Sequence, residues 1–178
     1  MSRRPSLGEK SLIQLAIPGD LAGVLTRLKT LKEQKVLPRQ EGLAIEEVFS
    51  KGGESNWTLL HFVLRHDANL ELVSLLLDVS ALDFRKRDLC STVGQDGRLP
   101  LHCCARNSTK VEVLSLLVGL YPPALTAKDC YGETPLASCR TFNTSRDNYD
   151  AVEKILQENT VGPLRDPVKE LAEYSAGL

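Results

Sequence analysis

Aromatic residues are scarce in this chain: four Phe, four Tyr and one Trp make up 5% of 178 residues. That is too few for a surface built of stacked aromatic platforms of the kind that grips single-stranded nucleic acid. Neither sign of charge is in excess. Lys and Arg number 22, Asp and Glu 23, and the net charge is −1. This balance argues against general binding to phosphate backbones or acidic membranes. No run approaches the roughly 18 apolar residues of a membrane span. Arg3 and Arg4 open the chain, but the apolar stretch Ser11 to Ile17 is broken by Gln14 and closed by Pro18-Gly19-Asp20. A signal peptide needs a longer core, so the expected compartment is cytoplasmic or nuclear. The five cysteines, an odd number, contain no CxxC pair. That does not suggest a secreted disulfide framework and lies far from zinc-ligand spacings. Neither GxSxG, HExxH, a P-loop nor GxGxxG occurs, so no motif marks a catalytic or cofactor site.

What is present is repetition. Hydrophobic residues at 42% and charged residues at 25% describe an ordinary globular domain. Trp57-Thr58-Leu59-Leu60-His61 recurs as Arg98-Leu99-Pro100-Leu101-His102, and again as Glu133-Thr134-Pro135-Leu136-Ala137. Each copy opens a short helical run, followed by a polar break and a longer Leu/Val-rich run. Ser11 to Leu31 supplies a fourth copy upstream. Ile13, Leu60, Leu101 and Leu136 then stand 47, 41 and 35 residues apart. A period in this range is the mark of a solenoid. Proline at the first position of a short helix costs nothing, because that N–H has no helical partner.

The apolar faces agree with stacking. Leu21, Val24, Leu25, Leu28 and Leu31 form one stripe. The runs from Leu70 and from Val111 are apolar on wider faces, and Tyr149, Val152, Ile155 and Leu156 again make a narrow stripe. Two-sided inner units between one-sided ends are what a stack requires.

Gly97-Arg98-Leu99-Pro100-Leu101-His102 and Gly132-Glu133-Thr134-Pro135-Leu136 resemble the G-x-T-P-L-H opening of the ankyrin repeat. The copy at Trp57 lacks both the Gly and the Pro, and the spacings of 47 and 41 exceed the family's 33. The resemblance implies an all-α, short ankyrin-type solenoid of about four helix-turn-helix repeats joined by long hairpins or loops. Expected boundaries are a flexible N-terminus over 1–10, repeats near 11–35, 57–80, 98–122 and 133–159, and a C-terminal capping helix over 161–178. In the capping segment Asp166-Pro167 reads as a helix start, with Leu171 and Tyr174 docking it. Leu43, Ile45, Val48 and Phe49 suggest an extra helix in the first connection, ended by a flexible Lys51-Gly52-Gly53 turn. The second connection, with Arg85-Lys86-Arg87, reads as a loop.

The resemblance implies a protein-protein interaction module, an adaptor or scaffold without catalytic activity, metal or cofactor. Its partner would be another protein, docked on a concave face of turns and short helices, and the chain would act as a monomer. In the family the residue between Gly and Thr of the opening points outward. Here that position holds Trp57, Arg98 and Glu133, so these are the expected partner contacts, with Arg85, Lys86 and Arg87 at the rim. Trp and Arg are enriched at interface hot spots. The alternative for Trp57 is that it packs beneath the first connection. His61 and His102 hold the family's histidine that bonds backbone between neighbouring turns. Two other functions compete. One is a cysteine-dependent redox or enzymatic protein using Cys103 or Cys104 beside His102; the other is a nucleic-acid-associated protein using the basic run. Arg3-Arg4-Pro5-Ser6-Leu7 also resembles a basophilic kinase substrate motif, against the simpler reading of an unstructured terminus.

Overall fold

The computed structural model describes residues 10–33, 51–52, 57–79, 83–94, 96–107, 110–144 and 147–161. Among them are nine α-helices. They are α1 (Leu12–Ala16), α2 (Leu21–Glu33), α3 (Leu59–Arg65), α4 (Leu70–Val79), α5 (Asp83–Ser91), α6 (Pro100–Asn107), α7 (Val111–Leu120), α8 (Pro135–Phe142) and α9 (Tyr149–Val161). A 3₁₀ turn, Pro122–Thr126, follows α7. The only strands among the described residues are β1 (Lys51–Gly52) and β2 (Trp57–Thr58), paired antiparallel with Lys51 opposite Thr58.

The helices form two layers. The short helices α1, α3, α6 and α8 pack in that order, and so do the longer α2, α4, α7 and α9 behind them. This is the all-α ankyrin-type solenoid of four helix pairs that the repeat implied. Of the residues that set the register, Leu60 is 0% and Leu101 2% exposed, while Ile13 and Leu136 in the end repeats are half-buried; Leu117 on α7 is 2% exposed. Val24 and Leu28 on α2, and Val152 and Leu156 on α9, are buried while their other faces are open. On α4 and α7 the buried set is wider: Leu72, Val73, Leu75, Leu76 and Leu77, then Val113, Leu114, Leu117 and Val118. Cys104 and Cys139, at equivalent positions where α6 meets α8, are both fully buried. A thiol there acts as a small apolar side chain.

Two expectations about the connections need correction. Lys51 and Gly52 are a strand paired to Trp57 and Thr58, because the backbone groups entering the second repeat need partners. Arg85-Lys86-Arg87 lies in the helix α5, which Leu89 and Cys90 anchor to the core. Residues 1–9, the helix expected around Leu43 to Phe49, and the capping segment 162–178 lie outside the described residues.

Candidate functional site

The site begins with how each short helix starts. In α3 the His61 Nδ1 accepts the Thr58 N–H at 3.3 Å and lies 2.7 Å from the Thr58 hydroxyl. In α6 the His102 Nδ1 accepts the Leu99 N–H at 3.2 Å. A backbone N–H can only donate, so in both rings Nδ1 is the acceptor and Nε2 carries the proton. Each Nε2 then donates to the next turn: His61 to the Arg98 carbonyl at 3.0 Å, His102 to the Glu133 carbonyl at 3.1 Å. One ring caps its own helix and ties two repeats, the inter-turn role the ankyrin resemblance implied. In the first repeat the equivalent residue is Gln14, whose Oε1 accepts the Ser11 N–H at 2.9 Å. It caps without reaching the next turn. In the fourth repeat Ala137 occupies the position, and Thr134 caps the helix by accepting the Ala137 N–H at 3.3 Å. Burial lowers the His102 pKa, which keeps the ring neutral and the tie intact.

The turns are stacked as closely as their helices. Gly94 and Asp129 each donate a backbone N–H at 2.9 Å across the turn, to the carbonyls of Arg98 and Glu133. Gly97 and Gly132 have φ of +74° and +78°, the left-handed region that a glycine enters without steric cost. At Gly97 space is also required, since a Cβ would stand 2.7 Å from the Cys130 nitrogen of the next turn. That nitrogen donates to the Asp96 carbonyl at 3.0 Å.

The three residues expected in an outward row do not form one. Trp57 is 7% exposed. Its indole N–H donates to Asp96 Oδ1 at 3.2 Å, and its ring stacks on His61 at 5.8 Å and meets Phe62 at 5.5 Å. It fills the space a side chain at Gly94 would take, where a Cβ would lie 2.5 Å from the indole. The outward-anchor expectation for Trp57 is therefore corrected: the next turn offers both a gap and a carboxylate, and the indole takes both. The Arg98 side chain is 16% exposed and bonds Asp96 and Asp129, each at 3.2 Å. The Asp129 side chain is fully buried, and its Oδ1 also accepts the N–H groups of Tyr131 at 2.9 Å and Glu133 at 3.0 Å. Burial alone would raise the Asp129 pKa, but these two N–H groups and Arg98 outweigh it and hold it low. Glu133 is half-buried and its Oε2 accepts the Ser138 hydroxyl at 3.2 Å. The basic run diverges around α5: Arg85 and Lys86 are half-buried, with Lys86 3.7 Å from Asp78, and Arg87 is exposed.

Residues that sequence reasoning passed over are the ones exposed on this face. Tyr131 at the turn tip is 73% exposed and Phe142 at the end of α8 is 43% exposed. Arg65, exposed, is the last residue of α3, and Arg106, half-buried, is the penultimate residue of α6; they stand at equivalent positions, 41 residues apart like Leu60 and Leu101. Their equivalence is legible in the repeat spacing.

The cysteine–histidine pairing of the competing enzymatic reading is not assembled. Both ring nitrogens of His102 are engaged by backbone groups. Cys103 is 2% exposed and burial pushes its thiol up to about 12, far from a reactive thiolate. Burial also pushes Cys90 up to about 12. No disulfide links the five cysteines. Among the described residues no cluster of His, Cys, Asp and Glu could hold a metal ion, and no helix is long and apolar enough to cross a membrane.

These turns, their histidine ties and the two helix layers define an ankyrin-type solenoid. No protein-family model matches the sequence, and none of the curated proteins does. Among solved structures, the fold is similar to the chaperone chain in the crystal structure of the yeast ribosomal protein Rps3 in complex with its chaperone Yar1. The TM-score is 0.59 at 18% identity, over 85% of this chain and 93% of that one. At that identity the likeness is one of fold.

Proposed function

We propose that this chain belongs with the ankyrin-repeat proteins and is a non-catalytic protein-interaction module. It docks a protein partner on the face formed by its turns and short helices. The observation that carries this reading is the pair of exposed aromatics on that face, Tyr131 and Phe142, each with an arginine over its ring. Exposed aromatic and Arg side chains held on a rigid scaffold are the composition of interface hot spots. The similar fold of a chaperone solved with its protein client supports the class without naming a partner here. In this reading Trp57, Arg98 and Glu133 position the face from below. Of the basic run, Arg87 serves as rim charge, because it is exposed on α5, which packs on α6. The thiols suit a reducing compartment, cytoplasm or nucleus.

The test is affinity capture from native cells with wild type and a Tyr131→Ala/Phe142→Ala variant, after matching their melting temperatures. The reading expects a defined co-purifying protein that is lost with the double variant. Equal recovery by both forms would place the interface elsewhere.

A further inference from the structure

We infer that the short-helix face receives an acidic segment of its protein partner, whose carboxylates are read by Arg65 and Arg106. This rests on the docking face proposed above and adds the chemistry it recognises.

Three arginines approach one another here. Arg98 is satisfied by Asp96 and Asp129. Arg65 and Arg106 form no ion pair among the described residues. Each has an aromatic ring against it instead: the Arg65 Cζ lies 5.6 Å from the Trp57 ring centre, and the Arg106 Cζ 3.3 Å from that of Phe142. A ring beneath a guanidinium covers one of its faces. The N–H donors at its edge stay available in a fork that matches a carboxylate. Burial, then the neighbouring Arg98, lowers the Arg106 pKa, and Arg65 acts on it in the same direction. Glu133 is the carboxylate that acts on Arg106 from nearby, and it is held by Ser138.

The register sets the spacing. Arg65 and Arg106 occupy the same position of neighbouring helices, so their backbones stand about 10 Å apart, the usual distance between packed helices. A polyproline-like segment rises about 3.1 Å per residue with three residues per turn. Acidic side chains three residues apart on such a segment would face both forks. The row ends at Thr141 on α8 and Pro18 beyond α1, so two carboxylates are the reach of the site. A nucleic acid is the less suitable occupant, because its affinity comes from many neutralised phosphates and this row offers two arginines in register.

The probe is a fluorescent peptide of Glu-Gly-Gly repeats, compared with its Gln-Gly-Gly counterpart and with a single-stranded oligonucleotide. Wild type should bind the Glu peptide, more weakly as salt rises, and bind the other two poorly. Arg65→Gln and Arg106→Gln should each weaken binding about tenfold, as loss of a charge-assisted bond pair does. Arg→Lys at either site should fall between. Lys154→Glu, exposed on α9, serves as the control and should leave binding unchanged. Melting temperatures matched to wild type separate these effects from unfolding; should a Gln variant melt early, its Lys variant carries the comparison. Equal binding of Glu and Gln peptides, tighter binding of the oligonucleotide, or full binding by the Gln variants would overturn the inference. If the captured partner depends on Tyr131 and Phe142 but not on Arg65 and Arg106, the face is right and its acidic ligand is wrong.

Discussion

The junction between the second and third repeats and the junction between the third and fourth are built on one plan with different chemistry. Both share the histidine tie, through His61 and His102. Beside it, the first junction uses Trp57, an indole laid against His61 and Gly94 with one bond to Asp96. The second uses Arg98, a guanidinium bonded to a fully buried Asp129. The same repeat position thus closes one seam by apolar area and the other by an ion pair. A repeat position specifies where a side chain starts, and the next turn decides where it goes.

The comparison breaks most visibly at Trp57. Trp57→Ala should cost ~3–5 kcal/mol in denaturant unfolding, as truncation of a buried aromatic does, with little dependence on salt. A loss below about 1 kcal/mol would mean that the indole closes no seam. Arg98→Ala should cost less, about 2–3 kcal/mol, because Asp129 keeps two backbone N–H partners when its guanidinium is removed. Asp129 should also mark the acid limit of this seam. Its folded pKa lies below its ordinary value near 3.8. Its contribution is therefore complete above that value and is lost as pH falls through the folded pKa.

His102 sharpens the comparison at milder pH. Its folded pKa is lowered from 6.5, so the unfolded chain takes up a proton first. Stability from this group is complete above about 6.5 and declines as pH falls below it. Unfolding measured from pH 7.5 to 5 should show that decline. His102→Gln should flatten its share, because a Gln can cap as Gln14 does without titrating. An unchanged slope in the variant would assign the decline to other groups. The smallest effect belongs to Tyr131→Ala. It removes an exposed ring 5.6 Å from the Arg98 Cζ and should change stability by less than about 1 kcal/mol.

Much of this fold is legible in the sequence, for reasons that particular residues make clear. Ile13, Leu60, Leu101 and Leu136 fix the register because a stacked repeat sets the same position against its neighbours each time, buried in the inner repeats and half-buried in the end ones. Narrow stripes at Val24 and Val152 against wide ones at Leu72 and Val113 give the order of the layers. The helix α5 is hidden because only Leu89 and Cys90 among its described side chains are buried, too few to set a period over a charged segment. Trp57 misleads because its partners, Asp96 and Gly94, lie 39 and 37 residues away and belong to the following turn. Arg65 and Arg106 are equivalent in sequence, but the rings beside them, Trp57 and Phe142, come from other elements.

Trp57 is the only tryptophan in the chain, so its fluorescence reports on the central claim that this residue ties two turns from within. The native protein should emit at the short wavelengths of a buried indole, resist quenching by acrylamide, and shift to the red on unfolding in one step with the loss of helix. Native emission at the wavelength of a solvated indole, quenched as readily as in the unfolded chain, would contradict the account.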